Sequence, residues 1–187
     1  MTLIIAQKYD DCIVMAGDSS VCFTDSNHTR IGLTKKVNKY ERDDIILAGA
    51  GGSYRLISLL NQFIPPKIRM DYEGYGIRFA NAWKEYLKDH DALSAYDDGL
   101  TSQNGGVIVA VRDHVFEISS DFGAIEYEEF VAGGSARLQA YAIHDYQKSL
   151  YGKLDSHHYK ETPEFMIGVL SKNNGEIVTP IQQEVIQ

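Results

Sequence analysis

The sequence predicts an α+β fold: a four-layer αββα sandwich of two antiparallel sheets with helices outside them. The order of the elements is the first observation, because β-prone runs and helical runs come in separate blocks rather than in βαβ alternation. Tight turn sequences between short β-prone runs are the second, since they are typical of hairpins. The length of 187 residues is the third. It suits one domain with a sizeable core, so we expect residues 1–187 to form a single domain.

The strands are predicted from β-prone runs that lie between turn residues. The first two runs form a hairpin around Tyr9-Asp10-Asp11, and the last two are joined by a strong turn sequence over 172–175. Two polar stretches, 24–29 and 91–103, are predicted as loops. The predicted strands are Leu3–Lys8, Cys12–Ala16, Lys36–Tyr40, Ile45–Ala48, Val107–Val111, Val115–Ser119, Tyr127–Val131, Phe165–Leu170 and Glu176–Pro180.

Three segments carry apolar residues at helical spacing. The first begins at Tyr54, directly after a glycine-rich turn, and is stopped by Pro65-Pro66. The second covers Tyr75–Asp89. The third covers Ser135–Leu150 and follows a pair of glycines. These helices provide the outer layers of the predicted sandwich.

Composition argues against several classes of function. A net charge of −8 and a pI near 5.2 argue against a nucleic-acid partner, which needs a clustered basic face. No apolar run approaches the roughly 18 residues of a membrane span, and the first run, Leu3–Ala6, is too short for a signal peptide. The only cysteines are Cys12 and Cys22. We therefore expect a cytoplasmic protein without a disulfide and without a membrane partner. No spacing of His, Cys, Asp and Glu completes a metal site.

Four features carry a chemical logic only when they are taken together. They are Thr2, the strand end Ala16-Gly17-Asp18, the stretch Lys35-Lys36-Val37 and the turn at Gly51-Gly52. Each alone has an ordinary explanation, as a strand start, a turn cap, a solvated strand edge and a strand-to-helix turn. A threonine hydroxyl needs an adjacent base to become a nucleophile, and a free α-amine with a pKa of about 7.7–8.0 is such a base. Removal of Met1 would free the amine of Thr2.

The remaining features would complete this chemistry. A nearby lysine ammonium favours the neutral amine and stabilises the developing alkoxide, and an aspartate holds that lysine in place. Backbone N–H groups at a glycine-rich helix entrance can bind a tetrahedral oxyanion. The turn lacks the Gly-Lys-Ser/Thr of a phosphate-binding loop. The sequence therefore indicates an N-terminal threonine hydrolase, on the condition that Met1 is removed.

Five stretches keep the order found in a known family. They are Thr2–Ala6, Val14–Ser19, Thr34–Val37, Ala48–Ser53 and Val131–Ser135. In this order they resemble the proteasome β-type and HslV-like peptidases of the N-terminal nucleophile (Ntn) hydrolase superfamily. No single stretch is specific, but the ordered set is, and the resemblance extends from residue 2 to about residue 151.

The resemblance implies a role for individual residues. Thr2 corresponds to the nucleophile, and the amide of Gly51 corresponds to the oxyanion donor. Lys36 corresponds to the catalytic lysine and Asp18 to the acid that orients it. Gly49 lies at the base of the implied pocket for the residue before the scissile bond, so a roomy pocket with a bulky apolar preference is expected. The residues implied for that pocket are Val21, Thr34, Gly49 and Ser53.

Two departures from the family concern auxiliary residues. Gly133 stands where many members have a serine beside the nucleophile's amine, so that hydroxyl is either absent or supplied by Ser135. Ser135 also suits the N-cap of its helix, which is the interpretation that the sequence favours. The last helix of the family ends in an acid beside the site. Here that segment is shortened, and Glu164 is the nearest acidic match.

The resemblance implies a peptidase that cleaves peptides or unfolded proteins through an acyl-enzyme, with no metal or organic cofactor. It also implies a homo-oligomeric ring with the active sites inside, and it is compatible with an AAA+ unfoldase as partner. Two alternatives stay open. One is a non-catalytic structural subunit of the same fold that retains Met1. The other is an Ntn amide hydrolase or acyl transferase that acts on a non-peptide substrate.

Overall fold

The structure is a computed structural model that describes residues 2–24, 29–41, 44–69, 71–95, 101–152, 166–167, 170 and 181–187. Every strand pair in these ranges is antiparallel. In these ranges the strands form two larger sheets and two short two-stranded ladders. Three helices whose bounds are described accompany them, and residues 166, 167 and 170 are also helical. The predicted combination of antiparallel sheets and helices in an α+β protein is confirmed.

The elements follow one another in the predicted blocks. The strands are β1 (Leu3–Lys8), β2 (Ile13–Asp18), β3 (Ser20–Thr24), β4 (Thr29–Leu33), β5 (Val37–Glu41), β6 (Ile45–Gly52), β7 (Ser94–Ala95), β8 (Thr101–Ser102), β9 (Gly105–Val111), β10 (His114–Ile118), β11 (Ala124–Tyr127), β12 (Phe130–Gly134) and β13 (Ile181–Ile186). The helices are α1 (Tyr54–Leu60), α2 (Tyr75–Asp89) and α3 (Arg137–Tyr151).

The first sheet has the strand order β12-β1-β2-β13, and the second has the order β11-β10-β9-β6-β5. The first sheet thus contains both the first strand of the chain and the last. In its register Ile4 lies opposite Gly17 of β2 and Gly133 of β12. Gln182 of β13 lies opposite Gly17 from the other side. This arrangement brings Thr2, the end of β2 and the start of β13 to the same end of the sheet.

Buried side chains separate into clusters on the two faces of each sheet. In β1, Ile4 and Ala6 belong to a cluster with residues of the second sheet, whereas Leu3 and Ile5 belong to a cluster with α3. This follows from the strand period, which points successive side chains to opposite faces. On the other face of the second sheet, α1 and α2 pack through an aromatic group that includes Trp83. In the described ranges, no helix combines the length and the apolar character needed to cross a membrane.

The prediction of a single strand over Tyr127–Val131 is wrong. The segment contains the end of β11 and the start of β12, which belong to different sheets. Tyr127 pairs with β10, and Val131 pairs with β1. Two residues, Glu128 and Glu129, separate the strands, so the chain crosses between the sheets there. A continuous β-prone run contains no signal for such a crossing.

The predicted strand Phe165–Leu170 is also wrong where the structure describes it, because Met166, Ile167 and Leu170 are helical. All three side chains are buried in the cluster on the α3 side of the first sheet. Leu170 lies four residues after Met166 and three after Ile167, which is the spacing of one helical face and explains the difference. The predicted strand Glu176–Pro180 and its turn lie outside the described residues. Strand β13, which was not predicted, follows them.

Smaller differences concern the predicted loops. The polar stretch 24–29 is flanked by β3 and β4, which pair with each other. The stretch 91–103 contains the short ladder between β7 and β8. Helix α2 has the bounds that the sequence predicts, whereas α1 ends at Leu60, before the two prolines.

Candidate active site

Three of the predicted residues meet at the end of the first sheet. The Lys36 ammonium nitrogen, Nζ, lies 2.7 Å from Asp18 Oδ2 and 3.5 Å from Thr2 Oγ1. The Lys36 side chain has 0% of its surface exposed and that of Asp18 has 2%. Because a lysine is almost never fully buried without a partner, this ion pair is the reason that the ammonium can lie inside the protein. The arrangement places a buried positive charge beside a threonine hydroxyl.

Asp18 connects the lysine to the strand that carries Thr2. It is the last residue of β2, and its Oδ1 accepts a hydrogen bond of 2.7 Å from the Leu3 N–H. The other carboxylate oxygen accepts from Lys36 Nζ. One carboxylate therefore fixes both the backbone next to Thr2 and the ammonium that faces the Thr2 hydroxyl.

The nitrogen of Thr2 contacts Ser135. It is a peptide nitrogen while Met1 is attached, and it donates to Ser135 Oγ at 3.2 Å. Helix α3 begins at Arg137, and its N-cap is Ala136, which makes no side-chain cap hydrogen bond. The interpretation of Ser135 as the N-cap is therefore wrong. Strand β12 continues to Gly134, so the helix begins later than predicted and the serine lies in the turn before it.

Two glycines leave the room that Thr2 occupies. A Cβ atom on Gly51 would lie 3.3 Å from Thr2 Cγ2. A Cβ atom on Gly134 would lie only 2.0 Å from the Thr2 carbonyl oxygen, and Gly134 has a φ of +99°. Few residues other than glycine adopt this conformation, and none could place a side chain there without moving Thr2. The position of Thr2 thus depends on a glycine in the neighbouring strand.

The direction of the backbone amides in β6 bears on the predicted oxyanion donor. The Ser53 N–H donates to the carbonyl of the residue before β9 at 3.0 Å, and the Ala50 N–H donates to the Lys36 carbonyl at 3.1 Å. Successive amides of a strand point to opposite sides. By this alternation the Gly51 N–H points toward β9. The Gly52 N–H points away from β9, to the side of β6 where β5 begins. It is therefore better directed than the Gly51 N–H to donate to an oxyanion.

A cavity of about 700 Å³ opens beside Thr2, between the two sheets. Several of its polar groups belong to the second sheet and to α3, including Glu117 and Arg137. Glu117 Oε2 accepts a hydrogen bond of 2.8 Å from the Tyr127 hydroxyl. Burial, followed by this contact, raises the pKa of Tyr127 well above its usual value. Predicted residues that line the cavity are Thr2, Gly49, Gly51 and Ser135.

The residues implied for the substrate pocket lie in different surroundings. Gly49 lines the cavity, but a Cβ atom on it would lie 2.8 Å from Ile4 Cγ2, so Ile4 takes the room that the glycine was expected to leave. Ser53 caps α1, since its Oγ accepts from an N–H of the first helical turn at 3.2 Å. Val21 lies in β3. Thr34 precedes β5, and its N–H donates to a carbonyl near the end of β2 at 2.8 Å.

One residue of this region was missed by the sequence analysis. Gln182 of β13 accepts hydrogen bonds through Oε1 from the N–H groups of Lys36, at 2.7 Å, and of Val37, at 3.2 Å. No motif marks this glutamine, and its strand was not predicted. Only pairing of β13 with β2 brings it to the lysine.

Two further expectations concern an acid and a metal. Glu164, the nearest match to the family's last acidic residue, lies outside the described residues. Among the residues that the structure describes, no group of three or more His, Cys, Asp or Glu side chains could hold a metal ion.

Comparisons with known proteins show that this chain is similar in structure to several solved proteins. No family model matches the chain, and no curated protein matches it by sequence. BPH from Thiobacillus denitrificans, in complex with epoxomicin, superposes with a TM-score of 0.72 at 18% identity, over 99% of this chain and 98% of that one. HslV from Trypanosoma brucei superposes with a TM-score of 0.60 at 18% identity, over 99% of both chains.

A third solved structure is also similar to this chain. It is the helical assembly of the Anbu complex from Pseudomonas aeruginosa, with a TM-score of 0.69 at 14% identity, over 99% of this chain and 81% of that one. HslV, BPH and Anbu are proteasome-like Ntn hydrolases. At these identities the likeness concerns the fold, and this chain has the fold that they share.

Proposed function

We propose that the chain is an N-terminal threonine peptidase that cleaves peptide bonds through an acyl-enzyme. The single observation that carries this proposal is the position of Lys36 Nζ, which is buried between Asp18 Oδ2 at 2.7 Å and Thr2 Oγ1 at 3.5 Å. A structural subunit has no need of a buried ammonium beside a hydroxyl, and such a charge is costly to bury.

The reaction starts once Met1 has been removed and the Thr2 nitrogen is a free amine. The neutral amine, directly or through a water molecule, takes the proton of the Thr2 hydroxyl. The oxygen then attacks the carbonyl carbon of the scissile bond, while the Lys36 ammonium stabilises the negative charge that develops on it. The amine returns the proton to the leaving nitrogen, so the peptide bond breaks and an ester to Thr2 remains. Water, deprotonated by the same amine, hydrolyses this ester.

Ser135 and the turn at Gly51-Gly52 assist the proposed reaction. Ser135 Oγ lies 3.2 Å from the Thr2 nitrogen, which is close enough to hold the amine and relay its proton. The oxyanion donor comes from the turn at Gly51-Gly52. We assign it to the Gly52 amide because of its direction, while Gly51 leaves room for the Thr2 methyl group.

We include the domain architecture and the oligomeric state in the same proposal. Residues 1–187 form a single domain, in which the sheets and helices stack as a four-layer αββα sandwich. Three of the buried clusters support this, since one contains residues of both sheets and the other two pair a sheet with helices. We also propose a homo-oligomeric ring in the cytoplasm that encloses the active sites, acts on peptides or unfolded proteins and works with an AAA+ unfoldase. The assembled state of the Anbu complex supports oligomerisation.

Covalent labelling tests the proposed function. Epoxomicin is bound in the BPH structure, which makes it a suitable probe for this chain. The protein, as isolated from its own cells, is incubated with epoxomicin and analysed by intact mass and peptide mapping. We expect loss of Met1 and one adduct on Thr2, which Thr2→Ala abolishes. Retention of Met1 on the cellular protein would overturn the proposal and favour a structural subunit. Labelling of Thr2 without hydrolysis of any peptide in a library would favour an amide hydrolase or acyl transferase.

A further inference from the structure

Gln182 holds the chain segment that carries Lys36. Its Oε1 accepts from two consecutive amides, those of Lys36 at 2.7 Å and Val37 at 3.2 Å. Its Nε2 donates to the Thr34 carbonyl at 3.4 Å. The side-chain amide thus bridges both ends of the segment from Thr34 to Val37. A Gln side chain offers both an acceptor and donors, so it can make all three contacts at once.

This bridge spans the residues just before the second sheet begins. Strand β5 starts at Val37, and Lys36 lies outside the ladder. The Lys36 carbonyl accepts from Ala50 at 3.1 Å, but its N–H is bound by Gln182 rather than by a strand. Buried amide groups are almost always hydrogen-bonded, and Lys36 is fully buried. Gln182 therefore supplies the partner that the ladder does not.

The register of β13 adds a second connection to the same site. Gln182 lies opposite Gly17 in β2, and its neighbour Ile181 lies opposite Asp18. The strand that holds the Lys36 backbone therefore also pairs with the residue that binds the Lys36 ammonium. The Lys36 backbone is thus held by β13, through Gln182, and the Lys36 ammonium by β2, through Asp18. Both strands belong to the same sheet.

We propose that Gln182 is a positioning residue for Lys36, which fixes the lysine backbone so that its ammonium stays in line with Asp18 and the Thr2 hydroxyl. The inference rests on the proposed function, because it gives Lys36 a part in the reaction. Gln182 contacts the backbone of the Lys36 segment and is not among the residues that line the cavity beside Thr2. A displacement of about 1 Å at a catalytic group can cost on the order of 100-fold in rate, so a support of this kind affects turnover more than substrate binding.

The test compares the same substitution at two neighbouring positions of β13. Gln182→Met removes the three hydrogen bonds with little change in size. Gln183→Met is the matched control: Gln183 lies in the same strand, and its buried Oε1 has no hydrogen-bond partner among the described residues. Gln182→Glu keeps an acceptor for the two amides and loses the donor. Kinetics of peptide hydrolysis and hydrogen exchange of the Lys36 and Val37 amides are measured on all variants, well below their unfolding temperatures.

We expect Gln182→Met to lower kcat by about 10- to 100-fold with KM changed less than about 3-fold, and to speed exchange of the two amides. Gln183→Met should leave both readouts near wild type, and Gln182→Glu should recover at least part of the loss. Equal values for the two methionine variants would overturn the inference, as would a Gln182→Glu variant no better than Gln182→Met. Failure of the proposed function would show differently: the wild type would neither hydrolyse peptides nor label on Thr2, while the exchange measurement would still decide whether Gln182 holds the segment.

Discussion

Replacing Lys36 with methionine separates the stability that the buried ion pair provides from the chemistry that it supports. The substitution removes the ammonium, keeps a side chain of similar length and leaves the Asp18 carboxylate buried without that partner. Breaking a buried pair from one side costs about 3–5 kcal/mol. For a chain of 187 residues, where 1 kcal/mol moves Tm by roughly 2–4 °C, we expect a fall of about 6–20 °C. Turnover should fall at least about 100-fold, because the charge beside the Thr2 oxygen is gone.

Combining this change with Asp18→Asn distinguishes the two effects. Asp18→Asn alone leaves the buried ammonium without its carboxylate, so it should also destabilise the protein. In the double variant both charges are absent, and an asparagine oxygen can still accept from the Leu3 N–H. We therefore expect the double variant to be more stable than the sum of the two single changes predicts, since the residues are in contact. Its activity should remain lost, because restored packing does not restore the ammonium.

Thermal unfolding followed by circular dichroism provides the stabilities, and peptide hydrolysis with epoxomicin labelling provides the activities. All activities are measured at least 15 °C below the lowest Tm of the set, so that unfolded protein does not contribute. Turnover by Lys36→Met above a tenth of the wild-type value would refute the proposed charge network. Strict additivity of the two stability changes would refute the ion pair as the reason for burial.

Three other changes test separate parts of the structure. Gly134→Ala should abolish epoxomicin labelling, because its Cβ would lie 2.0 Å from the Thr2 carbonyl oxygen, whereas Gly133→Ala meets only an ordinary contact of 3.4 Å and should label normally. Gln103→Leu removes the acceptor that lies 2.6 Å from the buried Trp83 Nε1–H and should cost about 1–3 kcal/mol in urea unfolding; an unchanged midpoint would contradict this. Burial raises the pKa of Tyr40 above its ordinary value near 10, so the unfolded state loses this proton first and stability should fall as pH rises above about 10. Tyr40→Phe should weaken that fall when urea unfolding is compared at pH 8 and pH 11, and an equally steep fall would contradict the assignment to Tyr40.

Local sequence patterns predict most of the elements and the hairpin of β1 with β2, but not the pairing of strands that lie far apart in the chain. The apolar period of α2 predicts its bounds, because a long amphipathic helix depends mainly on its own spacing. The sequence predicts one strand over Tyr127–Val131, although the two ends of this run pair in different sheets. Pairing depends on residues far away in the chain, and a β-prone run has the same appearance in either sheet. The strand predicted over Phe165–Leu170 is wrong for a different reason: a short apolar run is compatible with either a strand or a buried helix, and Met166, Ile167 and Leu170 are helical.

The candidate site shows a similar division. Thr2, Asp18 and the pair Lys35-Lys36 can be selected from the sequence because their side chains have complementary chemistry and lie near predicted strands, and the family resemblance implies Lys36 of the pair. The sequence favours Ser135 as a helix N-cap, because a serine directly before a helix usually has that role. Its contact with the Thr2 nitrogen arises because β12 lies next to β1 and extends as far as Gly134. The room expected at Gly49 is taken by Ile4, which belongs to the facing sheet.

The sequence by itself therefore determined the class of elements, their order and the residues whose chemistry suits a nucleophile, an acid and a cation. Only the tertiary structure decided that these groups meet, at 2.7 Å between Lys36 and Asp18 and 3.5 Å between Lys36 and Thr2. It alone also brought Gln182 to the Lys36 backbone across 146 positions of the chain. The physical reason is that propensity and period act over neighbouring residues, whereas hydrogen bonds between distant strands depend on the register of the whole sheet.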